Sequence, residues 1–339
     1  MKVKVPTVII TALLVIVIGV ALGSVRVAPG DIFEIIRHRV FGSYLPDHIS
    51  PASVAIVWNL RLPRTLLAFI VGGALSVSGA VMQSVLRNPL ASSYTLGVSS
   101  GASLGAGIII LYSVTMPVLG MLTLPLTGFI FGLGTMVLAI AFASRIDGQM
   151  ENNTIILTGM VFSLFVNAMT TLLSALEREH MQRLIFWQMG SFSMKDWYAV
   201  FILLPVAIVG TLFILHFNRE LDMMTFGEEQ AKTMGVNLKR VKWTLLVTSA
   251  ALTGSAIAFV GVIGFVDLVA PHIVRRLFGS SHRYVIPMSA VFGGSFMVIC
   301  DLVARTVVSP SELPVGAVTA IIGAPFFAYI YFGRRAKKV

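Results

Sequence analysis

The groups able to do chemistry in this 339-residue chain are few and scattered. His38, His48, His180, His216, His272 and His282 form no His-x-x-x-His or acid–His cluster with metal-ligand spacing, so no metal site is expected. A G-x-x-x-x-G-K-[S/T] loop is absent, so the chain cannot itself cradle nucleotide phosphates, and no catalytic residue is assigned. The single cysteine, Cys300, sits in an apolar run, excludes an internal disulfide and reads as a packing residue. Two carboxylates stand in apolar segments. Asp267 in "GFVDLVAPH" marks either a functional site or a buried pair with His272 or another basic group. Asp301 precedes Arg305 by one helical turn, the spacing of an i,i+4 ion pair. Arg61 and Arg64, around Leu62-Pro63, open a long apolar run. Arginines at such a place either snorkel to the membrane interface or offer planar forks to carboxylates.

The elements that carry these residues must lie in a bilayer. Hydrophobic residues make up 56% of the chain and charged ones 12%, with a mean hydropathy of +0.89. A soluble domain carries about 25% charged residues. Runs long enough to span recur at about 6–23, 64–86, 96–113, 120–143, 154–175, 198–217, 243–263, 264–278, 284–305 and 314–332. The expected fold is therefore an all-α integral membrane protein of about ten transmembrane helices, a single domain over 1–339. Breaks are expected at Asn88-Pro89-Leu90 and at Ala270-Pro271-His272, because irregular backbone at membrane depth needs burial in protein or a cavity to line.

Placing both termini in the cytoplasm puts sixteen of the twenty-five Lys and Arg on the inner side, including Lys2, Lys4, Arg334, Arg335, Lys337 and Lys338. The formal charge of +10 then reads as topology, and no nucleic-acid partner is expected. Lys2 and Lys4 precede an apolar run longer than a signal-peptide core, which reads as an uncleaved first helix. "GASLGAG" (101–107) has no strand before it, so it reads as close helix packing, as does Gly128/Gly132. The longest polar interruption, His216 to Trp243, holds "TFGEEQAKTMGVN". Here Gly227 and Gly235 bound a short helix with Glu228 and Glu229 in its first turn, within a compact two-helix lever presented to a partner.

Five blocks, in order and in register, carry a resemblance: "RLPRTLLAFIVGGALSVSGAVMQSVLRNPLASSYTLGVSSGASLGA", "RLIFWQMGSFSMKDW", "FGEEQAKTMGV", "GFVDLVAPHIVRRLFG" and "DLVARTVVSPSELPVGAVTAIIGAPFF". The chain resembles the permease family of ABC importers for iron–siderophore complexes, haem and cobalamin. That resemblance implies a ten-helix permease without a nucleotide-binding domain or cofactor, located in the bacterial cytoplasmic membrane. Its implied partners are a second permease chain, two ATP-binding cassette ATPases, an extracytoplasmic substrate-binding protein and membrane lipid. The permease itself is then a transport subunit rather than an enzyme, because ATP is hydrolysed on other chains.

Residue by residue, the resemblance implies that Arg61, Arg64 and Arg305 form an outer socket for acidic residues of the binding protein. It implies a cytoplasmic gate at Asn88, Leu90, Asn152 and Asn153. It implies ATPase coupling through Phe226, Gly227, Glu228, Glu229, Gln230, Ala231, Met234 and Gly235, within a cytoplasmic loop over 218–241. Asp267 departs from the family, which typically carries Gly there. The expected cargo is an iron(III)–siderophore complex, with haem or cobalamin as alternatives. A proton-coupled secondary carrier using Asp267 is the competing class.

Overall fold

The computed structural model describes residues 4–23 and 27–332. Lys2, Arg334, Arg335, Lys337 and Lys338, used above for topology, lie outside the described residues. Every regular element among the described residues is helical. Helix α1 (Lys4–Ala21) leads to two short helices, α2 (Pro29–Phe41) and α3 (Pro51–Ala55). Ser50 starts α3, its side chain accepting from the Ser53 amide at 3.1 Å, with Pro51 at the first helical position, where its missing N–H costs nothing. A π-helical turn over Ile56–Arg61 runs directly into α4 (Leu62–Val85), just before the donor-less Pro63.

The chain continues through α5 (Val98–Leu111), α6 (Thr123–Ile146), α7 (Asn152–Leu176), α8 (Met181–Gln188) and α9 (Trp197–His216). Next come α10 (Asn218–Phe226), α11 (Glu228–Thr233), α12 (Leu238–Val260), α13 (Val266–Phe278), α14 (His282–Thr306) and α15 (Val315–Phe332). A helix occupies each of the ten expected spans. Six of them, counting Pro51–Val85 as one, are long and apolar enough to cross a membrane. Val5–Ala21, Val98–Leu111 and Val315–Tyr329 are shorter apolar helices.

Helix α4 is the axis of the molecule, buried on nearly all sides by α9, α12, α13 and α14. Small residues let the neighbours close in. A Cβ on Gly79 would collide with the backbone of Asp267 in α13, and one on Gly101 with the Phe131 carbonyl of α6. The "GASLGAG" stretch thus packs against the helix carrying Gly128 and Gly132, as expected. Cys300 is fully buried and unbridged. In contrast, α7 and α9 expose broad apolar faces, with Leu164, Phe165, Phe201 and Val209 each more than 60% exposed.

One expectation is corrected. Pro271 does not interrupt its helix; α13 runs through it unbroken, and the break lies earlier, over 261–265. A proline inside a helix leaves the carbonyl four residues back without its donor, here that of Asp267. Gln83 of α4 supplies the donor instead, Nε2 to Asp267 O at 3.1 Å. The break falls where Gly261 and Phe265 take positive φ (80° and 69°).

Candidate gate and coupling site

The two ends of α4 hold different polar clusters. At its start, Arg61, Arg64 and Arg305 line one cavity of ≈ 200 Å³ together with Glu312. Arg61 donates to Ala21 O at 3.0 Å and Val20 O at 3.4 Å, and Arg305 to Gly19 O. These are the last carbonyls of α1, which lack helical partners and carry the negative end of its dipole. Arg64 forks onto Asp301, with Nε 3.0 Å and a terminal nitrogen 2.8 Å from Oδ1, and reaches Glu312 Oε1 at 2.7 Å.

The expected Asp301–Arg305 pair is therefore secondary, at 3.7 Å. Arg64 arrives from another helix and meets the carboxylate with its planar fork, a geometry that a neighbour on the same helix does not reach here. The structure brings the three arginines together, but it buries each by about nine-tenths and gives each a partner within the chain.

At the far end, the segment over 86–97 leaves α4 as irregular backbone. Arg87 takes a positive φ of 48°, and the Asn88 side chain accepts from the Leu90 amide at 2.9 Å, a turn that aims Leu90 outward. The segment then re-enters the bundle with Ser92, Ser93 and Leu96 buried. Ser93 joins Ser78 at 2.7 Å and Thr253 at 3.1 Å, a hydroxyl knot linking it to α4 and α12. Ser92 donates to the Asp267 carboxylate, and Tyr94 to Ile263 O. The segment over 86–97 thus places its hydroxyls on α4, α12, the start of α13 and one carbonyl of the 261–265 break, so that its irregular backbone is tied into the protein, as such backbone inside a bilayer requires. Asp267 accepts from Ser92 on its side chain, while the ring of His272, one of the partners considered for it, lies edge-on to Phe327 at 6.4 Å.

Beside this segment, Leu86, Arg87, Glu151, Asn152, Asn153 and Glu228 line a cavity of ≈ 420 Å³. It unites two of the four predicted gate residues with the first residue of α11; Asn88 and Leu90 are not part of its lining. The turn before α7 is shaped by Asp147. Its carboxylate accepts from the Glu151 amide at 2.6 Å and the Gln149 amide at 2.9 Å, and these bonds hold its pKa below the ordinary carboxylate value.

Helix α11 begins at Gly227, whose φ of 132° suits glycine alone, and ends before Gly235 at φ 88°. Ala231 is buried beneath it. Phe226, Glu229, Gln230, Lys232 and Met234 face outward, with Phe226 71% exposed and Lys232 paired to Glu229 at 3.1 Å. Asp222 of α10 ties this loop to α14, accepting from the His282 amide at 2.8 Å and contacting its Nδ1 at 2.6 Å. The other ring nitrogen of His282 lies 2.6 Å from Ser84 Oγ on α4, which Arg275 of α13 also contacts at 3.0 Å.

The FecCD transport family model matches residues 10–333. The chain belongs to that family. An uncharacterized ABC transporter permease protein, YvrB of Bacillus subtilis, is 41% identical over 93% of this chain and 89% of its own length. The hemin transport system permease protein HmuU of Yersinia pestis is 36% identical over 83% and 85%. A solved metal-chelate type ABC transporter in an inward-facing conformation superposes with a TM-score of 0.85 at 27% identity, covering 98% of this chain and 100% of that one.

Within this FecCD chain the sequence pattern misses Lys242, Gln83 and the Asp222–His282–Ser84 link. Lys242 reads as one more inner-side charge beside Lys239 and Arg240. A signal exists nonetheless: it lies three and four residues before Leu245 and Leu246, on the buried stripe of α12. The other contacts join residues 60 or more positions apart, which no local spacing encodes.

Proposed function

We propose that this chain is the transmembrane permease subunit of an ABC importer, carrying an iron(III)–siderophore complex across the cytoplasmic membrane with ATP hydrolysed on separate subunits. The observation that carries the reading is the cavity where Asn152 and Asn153 adjoin Glu228 of the Gly-bounded helix α11, so that a candidate gate and a candidate ATPase contact share one wall. Relatives are named for Fe(3+)-citrate, hemin, cobalamin and molybdate import, which supports a chelated or oxyanionic metal cargo. Iron–siderophore cargo is the member of that range put forward here, with haem and cobalamin as alternatives.

In this reading the chain spans the membrane ten times with both ends inside, and pairs with a second permease chain through its exposed apolar helices. It rests α11 and the 218–241 loop on an ATPase. Asn88, Leu90, Asn152 and Asn153 close the inner mouth. The arginine cavity at the other end receives acidic residues of a substrate-binding protein, its guanidiniums already oriented by Asp301, Glu312 and the α1 carbonyls. The test is uptake into proteoliposomes containing the permease with its ATPase and binding protein, offering ferric siderophore, haem and cobalamin in parallel. ATP-dependent accumulation of the ferric complex is expected. Accumulation driven by a proton gradient without ATP would favour a secondary carrier instead.

A further inference from the structure

Lys242 stands in the second turn of α12 and is fully buried, while Lys239 and Arg240 beside it are exposed. Its ammonium donates to Met150 O at 2.7 Å, Asn152 Oδ1 at 2.9 Å and Glu228 Oε1 at 2.8 Å. A protonated lysine has three N–H donors, so these bonds use all of them. The acceptors come from three places: the turn before α7, the first residue of α7 and the first residue of α11. Met150 is itself buried and held at a positive φ of 55°, so its carbonyl is fixed in direction.

Such a joint behaves differently from a surface ion pair. Removing one partner of a buried ion pair leaves an uncompensated charge, which is strongly unfavourable. If α11 shifts, Glu228 must either keep its bond and draw the ammonium with it, or leave the charge unbalanced. In the first case the turn and the start of α7 follow, because the same nitrogen holds Met150 and Asn152. Packed, saturated contacts of this kind switch between discrete arrangements instead of yielding gradually.

We propose that Lys242 is a positioning residue that transmits displacement of α11 to the N-terminal end of α7, and so to Asn152 and Asn153. The proposal rests on the reading of α11 as an ATPase contact and of the α7 start as a gate. It assigns the connection between them to one side chain.

The test uses the complete transporter in proteoliposomes and reads substrate molecules imported per ATP hydrolysed. In Lys242→Met the ATPase should remain in the complex and hydrolysis continue, while the import-to-hydrolysis ratio falls at least tenfold. Lys242→Arg, which keeps the charge and several donors, should recover a substantial part of the ratio. A purely structural lysine would lower the yield or melting temperature and leave the ratio of surviving complexes unchanged; that result in Lys242→Met overturns the proposal. Should Lys242→Met fail to accumulate, Glu228→Gln removes the charge partner at the partly exposed end. Its ratio should drop about threefold or more, and an unchanged ratio overturns the proposal equally. Wild-type permease that retains no ATPase and shows no ATP-driven import would overturn the functional reading itself, a result distinct from either variant outcome.

Discussion

Arg64 shows how a side chain can be recognised in type while its partner within the chain goes unseen. The sequence offers an arginine at a helix start and an Asp–Arg spacing at 301 and 305, and from these come a docking residue and a local pair. The carboxylate of Asp301 instead takes its fork from position 64, across 237 residues. Asp301 is 1% exposed, so Arg64→Ala leaves a buried carboxylate with only the distant Arg305, and roughly 3–5 kcal/mol of stability should be lost. Thermal unfolding of the detergent-solubilised permease measures it. An unchanged midpoint, with loss of binding-protein affinity alone, would make Arg64 a docking residue and little else.

Asp147 yields a pH prediction with a definite sign. Amides hold its folded pKa below the ordinary value, so its stabilisation of the turn is complete above the unfolded carboxylate range, about 4. That stabilisation is lost as pH falls through the depressed value. Amide protection at Gln149 and Glu151 should therefore be equal at pH 7 and pH 5 and decline below about 4. Asp147→Asn should flatten that decline.

Among the elements, the short helix α11 was legible because its boundaries are written in glycine and its first turn in glutamate. The structure explains the punctuation: at Gly227 the backbone enters a region that costs other residues about 1–3 kcal/mol, and a Cβ there would strike the Gln230 side chain. Gly227→Val should tilt or unwind α11 and lower transport per ATP severalfold, with Gly235→Val acting in the same direction from the other end. Pull-down of the ATPase alongside an uptake assay checks both. Full transport in the two variants with ATPase bound would remove α11 from the coupling path. Pro271 was read as a break because its ring and missing donor usually end helices. Gln83 makes the difference, and its relation to position 271 exists only once α4 and α13 are packed. The short helices α2, α3 and α8 escaped notice because hydropathy finds spans and passes over brief segments with mixed faces.

For the molecule as a whole, hydropathy placed the long helices within a few residues, since the bilayer imposes length and apolarity on each independently. It could not show that α4 passes through the centre, because centrality depends on which helices surround it. Cysteines at Asn88, Leu90, Asn152 or Asn153, in a Cys300→Ser background, should crosslink between permease chains to an extent that changes with bound nucleotide. Yields indifferent to nucleotide would show that this mouth does not open and close.

The Gln83–Asp267 bond carries one more consequence, for how such a chain can change over generations. With Pro271 in place, replacing Gln83 by leucine strands a buried carbonyl. Once position 271 is alanine, its amide can serve that carbonyl, and the glutamine is needed only for its contacts to Leu268 O and Arg275. The same pair of substitutions should thus be harsher in one order than in the other, so that descent can pass readily through the proline-free intermediate and scarcely through the glutamine-free one.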